Sequence, residues 1–321
     1  MSPQPNKLDA AASLPAPYTD HIAKIAGLDI HYVDYGMAGR TPMLCIHGGA
    51  ASTHWFDFVA GDFNADHHVL AIDQRGHGDS AWADPPDYAY ERYAADVNEF
   101  VNKLNLRDFV LIGHSMGGTV GLTYAAKYPG RVSRLVIVDT MLNMTPDRAA
   151  KLREVGTRQG RTYATREEFI SRFRLRPADS SATPEVLRHL AGHAVHPEAD
   201  GSWGHKFDRQ VYAVRESIDG LPHWNHIRIP ALLVKGGRSP RITPEVVADV
   251  KSRCPQVEFV EVPDSDHHVT LDNPSGFTRA VNAFLAKNVT IQPEAGDGWH
   301  PMKARRKTSN RLCPCLCMVS R

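Results

Sequence analysis

The stretch "FVLIGHSMGGTVGL" (residues 109–122) constrains this chain more than any other. Phe109 to Ile112 form an apolar run of the kind buried in a sheet, and the residues after Met116 suit a helix. Only Gly113-His114-Ser115-Met116-Gly117 lies between them to turn the chain. A strand that enters a helix through so sharp a corner needs glycine on both sides, because larger side chains would strike the neighbouring strand and helix. The central Ser115 is left in a strained conformation, lifted clear of the sheet at a helix N-terminus where free N–H groups favour negative charge. Gly-x-Ser-x-Gly in this strand–turn–helix setting marks a nucleophilic serine. A phosphate-binding turn is excluded by spacing, since Gly113 to Gly118 fit neither common phosphate-loop pattern.

The rest of the chain supports the same architecture. "HIAKIAGLDIHYVDYG" (21–36) alternates around a glycine break, which predicts an antiparallel hairpin. The runs "PMLCIHGG", "HHVLAIDQRG", "FVLIGHS", "RLVIVDT", "ALLVKGG" and "VEFVEVP" look like strands buried on both faces of a parallel sheet. Helical patterns lie between them. Ala94, Val97, Val101 and Leu104 share one stripe, while Thr243-Pro244 and Asn273-Pro274 each place a capping residue before a first-turn proline. Strand and helix in alternation predict an α/β fold built on a doubly wound, mostly parallel sheet.

Residues 141–222 break the rhythm, with helical stretches such as "TREEFISRF" and "PEVLRHLAGHAV" and no convincing strand. They are expected to form a helical cap inserted into a core of residues 20–140 and 223–287. Residues 1–19 read as a disordered Pro/Ala-rich leader without a signal peptide's apolar centre, and 288–321 as a flexible tail. Length, at 321 residues, suits one large domain with an insertion. A net charge of +1 and the lack of a long apolar run argue against nucleic acid and membrane partners, and a homodimer is left open. Of five cysteines, Cys45 reads as core and Cys254 as a helix-end residue. Cys313, Cys315 and Cys317 crowd the tail without a His or Cys at zinc-finger spacing, so no metal and no cofactor are expected. A reduced, cytoplasmic protein is the default for such cysteine usage.

The motifs together resemble the α/β-hydrolase superfamily, across roughly residues 20–286. "HGG" (47–49) is similar to that family's oxyanion loop, "DQRGHGDS" (73–80) to the loop after its fourth strand, and "VPDSDHHVTLDNP" (262–274) to its histidine loop. The resemblance implies Ser115 as nucleophile, His267 rather than His268 as base, and the amides of Gly49 and Met116 as the oxyanion hole. His47 and His114 are expected to be structural, as are His54, His67, His68, His77, His189, His193 and His196.

The acid is not where many relatives carry it, because "GGRSPRI" (236–242) offers only Ser239. Asp139, ending "RLVIVDT", is preferred, with Ser239 as the alternative partner of the imidazole. A pocket under the cap would draw on His54, Trp55, Trp82, Met141, Phe173, Trp203 and Phe207. The implied activity is hydrolysis of a small carboxylic ester or lactone through an acyl-enzyme. Carbon–carbon bond hydrolysis, a cofactor-free peroxidase-like reaction and ligand binding by a degenerate triad remain as alternatives. An epoxide hydrolase or haloalkane dehalogenase is disfavoured, because those use an aspartate nucleophile.

Overall fold

The structure, a computed structural model, describes residues 14–287. β1 (Thr19–Ile25) and β2 (Leu28–Asp34) form the expected hairpin. Its two-residue turn, Ala26-Gly27, has positive φ at both positions, the geometry that matches the twist of paired strands. β3 (Thr41–Ile46), α1 (Ala60–Phe63), β4 (His67–Ile72), α2 (Tyr90–Lys103), β5 (Phe109–His114), α3 (Met116–Lys127) and β6 (Val132–Val138) follow. Residues 141–222 hold β7 (Asn143–Met144), α4 (Pro146–Thr157), α5 (Arg166–Arg172), α6 (Pro184–Ala194), β8 (Val195–Pro197), β9 (Trp203–His205), α7 (Gln210–Ala213) and β10 (Ile218–Asp219). The chain returns through β11 (Ala231–Gly236), α8 (Pro244–Arg253), β12 (Val257–Val262), α9 (Val269–Asp272) and α10 (Pro274–Leu285).

The main sheet has the order β1-β2-β4-β3-β5-β6-β11-β12; β2 runs antiparallel to both its neighbours, β1 and β4, and the remaining pairs are parallel. From β3 the chain steps outward to β4 and then back across to β5, so the winding reverses between β3 and β5. Loops diverge there at the C-terminal strand ends and leave the crevice in which such sheets bind ligands. Every residue of β5 is buried.

Four of the flanking helices begin alike. Thr145, Thr183 and Thr243 each precede a proline and accept the N–H three residues on, and Asn273 does the same before Pro274. Each cap contributes about 1 kcal/mol, and the proline's missing N–H costs nothing in the first turn.

Three expectations need correction. The segment 141–222 is not free of strand: β7 pairs with β10 and β8 with β9, in runs of two or three residues too short for alternation to show. β12 is an edge strand with its middle residues half-buried or exposed, not a strand covered on both faces. Part of the leader is ordered, since Ala16 is buried and its N–H donates to the Asp57 carbonyl at 2.7 Å, just before β1. The tail's cysteines and its basic residues Lys303, Arg305, Arg306 and Lys307 lie outside the described residues.

One buried ion pair ties the crevice to the scaffold. Arg75, in the loop after β4, meets Asp96 of α2 in a two-pronged contact, Nε to Oδ2 at 2.5 Å and Nη2 to Oδ1 at 2.6 Å. Both side chains are more than nine-tenths buried. Asp96→Ala would strand the guanidinium and is expected to lower stability by about 3–5 kcal/mol. Urea unfolding checks this, and a loss below about 1 kcal/mol would show the pair to be dispensable.

Candidate functional site

Ser115 stands at the corner between β5 and α3 with φ 54° and ψ −118°. For a non-glycine residue this backbone costs about 1–3 kcal/mol and must be held in place by its surroundings. Its N–H donates to the Val138 carbonyl at 2.9 Å, which ties the corner to β6. On the other side, a Cβ at Gly117 would run into the carbonyls of Ile46 and His47 at the end of β3. The glycine is therefore required by close backbone approach.

His267 lies in the loop between β12 and α9. The Ser115 hydroxyl is 3.0 Å from its Nε2, and its Nδ1 is 2.7 Å from Asp139 Oδ2. A carboxylate can only accept, so Nδ1 carries the proton and Nε2 is left free to accept from the serine. Asp139 sits just after β6, fully buried, with φ 41°. Its Oδ1 accepts the Gly236 N–H at 3.2 Å and its Oδ2 the Ser239 hydroxyl at 2.7 Å. Ser239 therefore does not contact the imidazole as the alternative required; it donates to the carboxylate that does. The strand ends of β6 and β11 are neighbours, which is why an aspartate after β6 reaches the same ring.

Burial is the main cause that holds the His267 imidazole well below its usual basicity, with the Arg241 guanidinium and His268 adding to it. The ring rests neutral. Burial raises the Asp139 carboxyl, an effect opposed by the Ser239 hydroxyl, the Gly236 amide and positive charge nearby.

His114 is buried and donates through Nε2 to the His267 carbonyl at 2.9 Å, supporting the histidine loop from below. His268 is also buried, and its Nε2 donates to the Pro177 carbonyl of the inserted segment at 2.8 Å. His47 locks the loop after β3: its Nδ1 donates to the Gly48 carbonyl at 2.7 Å, and its Nε2 accepts the Gln74 N–H at 3.1 Å. A Cβ on Gly48 would lie 3.1 Å from the Ser115 Cβ, so this loop runs directly beside the serine. Gly49 follows it, with Tyr212 of α7 over it, close enough that a Cβ would sit 2.9 Å from the tyrosine oxygen. Met116 opens α3, where helix geometry leaves the first N–H groups without intrahelical acceptors.

The seven residues expected to line a pocket divide. Trp55 and Phe173 border a small crevice with Ala50, Ala51, Ser52 and Leu190. The other five do not. Trp82 is 47% exposed, and Met141 lies against Arg148. Trp203 pairs with Tyr163 within the insertion, while Phe207 packs between His77 and Tyr212. His54 is buried against Asp57. Spacing along the chain had no means of placing these rings.

Arg215 escaped sequence reading altogether. Only 3% exposed, it lies over the Tyr90 ring with Nη2 3.1 Å from the Met116 sulfur. Its Nε and Nη1 have no hydrogen-bond partner among the described residues. An unpaired buried guanidinium is costly, and it leaves positive charge next to the residue after the serine.

Known proteins are similar to this chain in sequence and fold. A serine hydrolase-like protein of Danio rerio is 29% identical, over 82% of this chain and 87% of its own. A 3-oxoadipate enol-lactonase of Acinetobacter baylyi is 25% identical, over 80% of this chain and 93% of its own. The crystal structure of E-2-(acetamidomethylene)succinate hydrolase superposes with a TM-score of 0.74 at 21% identity, covering 84% of this chain and all of that one (100%). Residues 41–274 match the family described by the alpha/beta hydrolase fold. The parallel sheet, the serine at its sharp strand–helix corner and that match together establish that the chain belongs to the α/β hydrolase fold family.

Proposed function

We propose that the protein is a serine hydrolase that cleaves a carboxylic ester or lactone through an acyl-enzyme, with residues 141–222 as its cap. The observation that carries this reading is the unbroken line from the Ser115 hydroxyl through both nitrogens of His267 to Asp139. Esterase and lactonase names among the relatives support the substrate class.

Ser115 Oγ attacks the carbonyl carbon as its proton passes to His267 Nε2. The resting imidazole is neutral and able to accept it, and the imidazolium that forms gains the Asp139 carboxylate 2.7 Å from Nδ1. The carbonyl oxygen becomes an oxyanion and takes the N–H groups of Gly49 and Met116; one such donor is worth about 3 kcal/mol of barrier. Arg215 adds positive charge beside Met116, an environment that suits the anion formed there. His267 then gives its proton to the leaving alkoxide, and the C–O bond breaks to leave the acyl group on Ser115. Water, deprotonated by the same nitrogen, attacks the acyl carbon and releases the acid with the serine restored. In a lactone the leaving alkoxide stays tethered, and the product is one hydroxy acid. All these steps use side chains and amides of this chain. The aligned acid–base line argues against a degenerate ligand-binding member.

Ser115→Ala is expected to lower turnover of p-nitrophenyl esters by roughly four to six orders of magnitude with the melting temperature nearly unchanged. A fluorophosphonate should label the parent protein at Ser115 alone; labelling elsewhere, or undiminished hydrolysis by the alanine variant, defeats the assignment. Asp139→Asn is expected to cost about four orders of magnitude in kcat, because the imidazole loses its tautomer. Ser239→Ala removes one donor from the carboxylate and is expected to cost about ten- to a hundredfold. The reverse ranking would make Ser239 the partner that matters.

A further inference from the structure

Away from the serine, a second cluster joins the inserted segment to the sheet. His54 and Asp57 stand three residues apart on the turn that follows β3. His189 and His193 stand four apart on α6, so both rings leave the same helix face. The four side chains present donor atoms that all lie within 4.8 Å of one another. Asp57 is fully buried: Oδ2 accepts from His54 Nδ1 at 3.0 Å and from His189 Nε2 at 2.6 Å, while Oδ1 accepts the Tyr35 hydroxyl at 2.6 Å.

His193 is the residue that a simple hydrogen-bond latch does not explain. Its ring stacks on His54 with centroids 3.6 Å apart, and it makes no hydrogen bond to another side chain or the backbone among the described residues.

We propose that His54, Asp57, His189 and His193 form a tetrahedral site for a divalent transition metal of the zinc class, holding α6 against the turn after β3. Zinc binds nitrogen and carboxylate oxygen at about 2.0–2.2 Å, which sets tetrahedral donors about 3.2–3.6 Å apart. The donors here run from 2.6 Å, His189 Nε2 to Asp57 Oδ2, to at most 4.8 Å apart, so the closest pair opens by about 0.6–1.0 Å and the wider pairs close by roughly an ångström. On binding, the ring protons now facing Asp57 move to the opposite nitrogens. Tyr35 stays on Oδ1 as the outer partner that orients the carboxylate. With four protein ligands the site is closed and structural rather than catalytic. Access is available from an open depression of about 770 Å³ between α5 and α6, lined by His189, His193 and Arg166 among others. Trp55, next to His54, borders the crevice near the Gly49 loop, so the metal would stiffen one wall of it.

The inference does not depend on the ester-hydrolase reading. It is tested on the full chain carrying Cys313→Ser, Cys315→Ser and Cys317→Ser, which removes competing tail thiolates. After chelator treatment the protein is titrated near neutral pH with Co²⁺ and then Zn²⁺, followed by visible absorption, calorimetry and thermal unfolding. One Co²⁺ per chain is expected, with tetrahedral ligand-field bands, displaced by Zn²⁺ and accompanied by a rise in melting temperature. His189→Ala and His193→Asn should each weaken Zn²⁺ binding about a hundredfold or more, with circular dichroism unchanged. His268→Ala, in the separate trio with His114 and His267, should leave it intact. Absence of stoichiometric binding by the folded protein, or binding undiminished in the His189 and His193 variants, overturns the proposal.

Discussion

The corner at Ser115 is a strained backbone that the fold clamps from both sides. Strain of about 1–3 kcal/mol persists only where alternatives are closed off. Here β6 accepts the serine's N–H, and the end of β3 presses so near Gly117 that no side chain fits. Those two strands flank β5, so the corner cannot relax without parting the middle of the sheet. The buried run of β5 supplies the cohesion that offsets the strain, since each fully buried Leu or Ile contributes about 1.5–3 kcal/mol.

Around that corner, buried carboxylates arrange the loops. Asp73, ending β4, accepts His31 Nδ1 at 2.8 Å, the Thr53 N–H at 2.7 Å and the Asp79 N–H at 2.9 Å. It thereby fastens the loop after β3 to its own. Asp57 does the same for the turn beyond Gly49, and Asp139 for the ends of β6 and β11. A buried negative charge must collect donors, and donors drawn from different loops fix those loops to one another. One physical rule serves scaffold and site alike: the carboxylates just after β6 and β4 each hold an imidazole and backbone N–H groups together.

What could be read from residues alone follows from how local each signal is. The strand–turn–helix corner, the Thr-Pro and Asn-Pro helix starts and the apolar runs are encoded within a few residues, and all of them appear. Asp139 was within reach because adjacent strand ends in a parallel sheet bring their loops together. The pocket walls were not: whether Trp82 or Phe207 faces a crevice depends on how 141–222 lies on the sheet, and that segment has strands too short to show alternation. The grouping of His54, Asp57, His189 and His193 was present only as two short spacings 132 residues apart at the Asp57–His189 contact. Each histidine alone read as structural, and convergence is a property of the tertiary fold.

The inserted segment reaches toward each element of the proposed chemistry. Pro177 accepts from His268, the neighbour of His267; Tyr212 covers Gly49; Arg215 lies against Met116; and His189 bonds Asp57 beyond the oxyanion loop. These contacts come from three separate parts of 141–222, around Pro177, His189 and Tyr212–Arg215, and each falls beside the proposed site. A small tilt of the segment would therefore alter the histidine loop, both proposed amide donors and the crevice wall together. Of the four contacts, the one at Asp57 gathers four ligating side chains, against three around His268. There the proposed ion would fix the position of the segment from outside the proposed reaction itself.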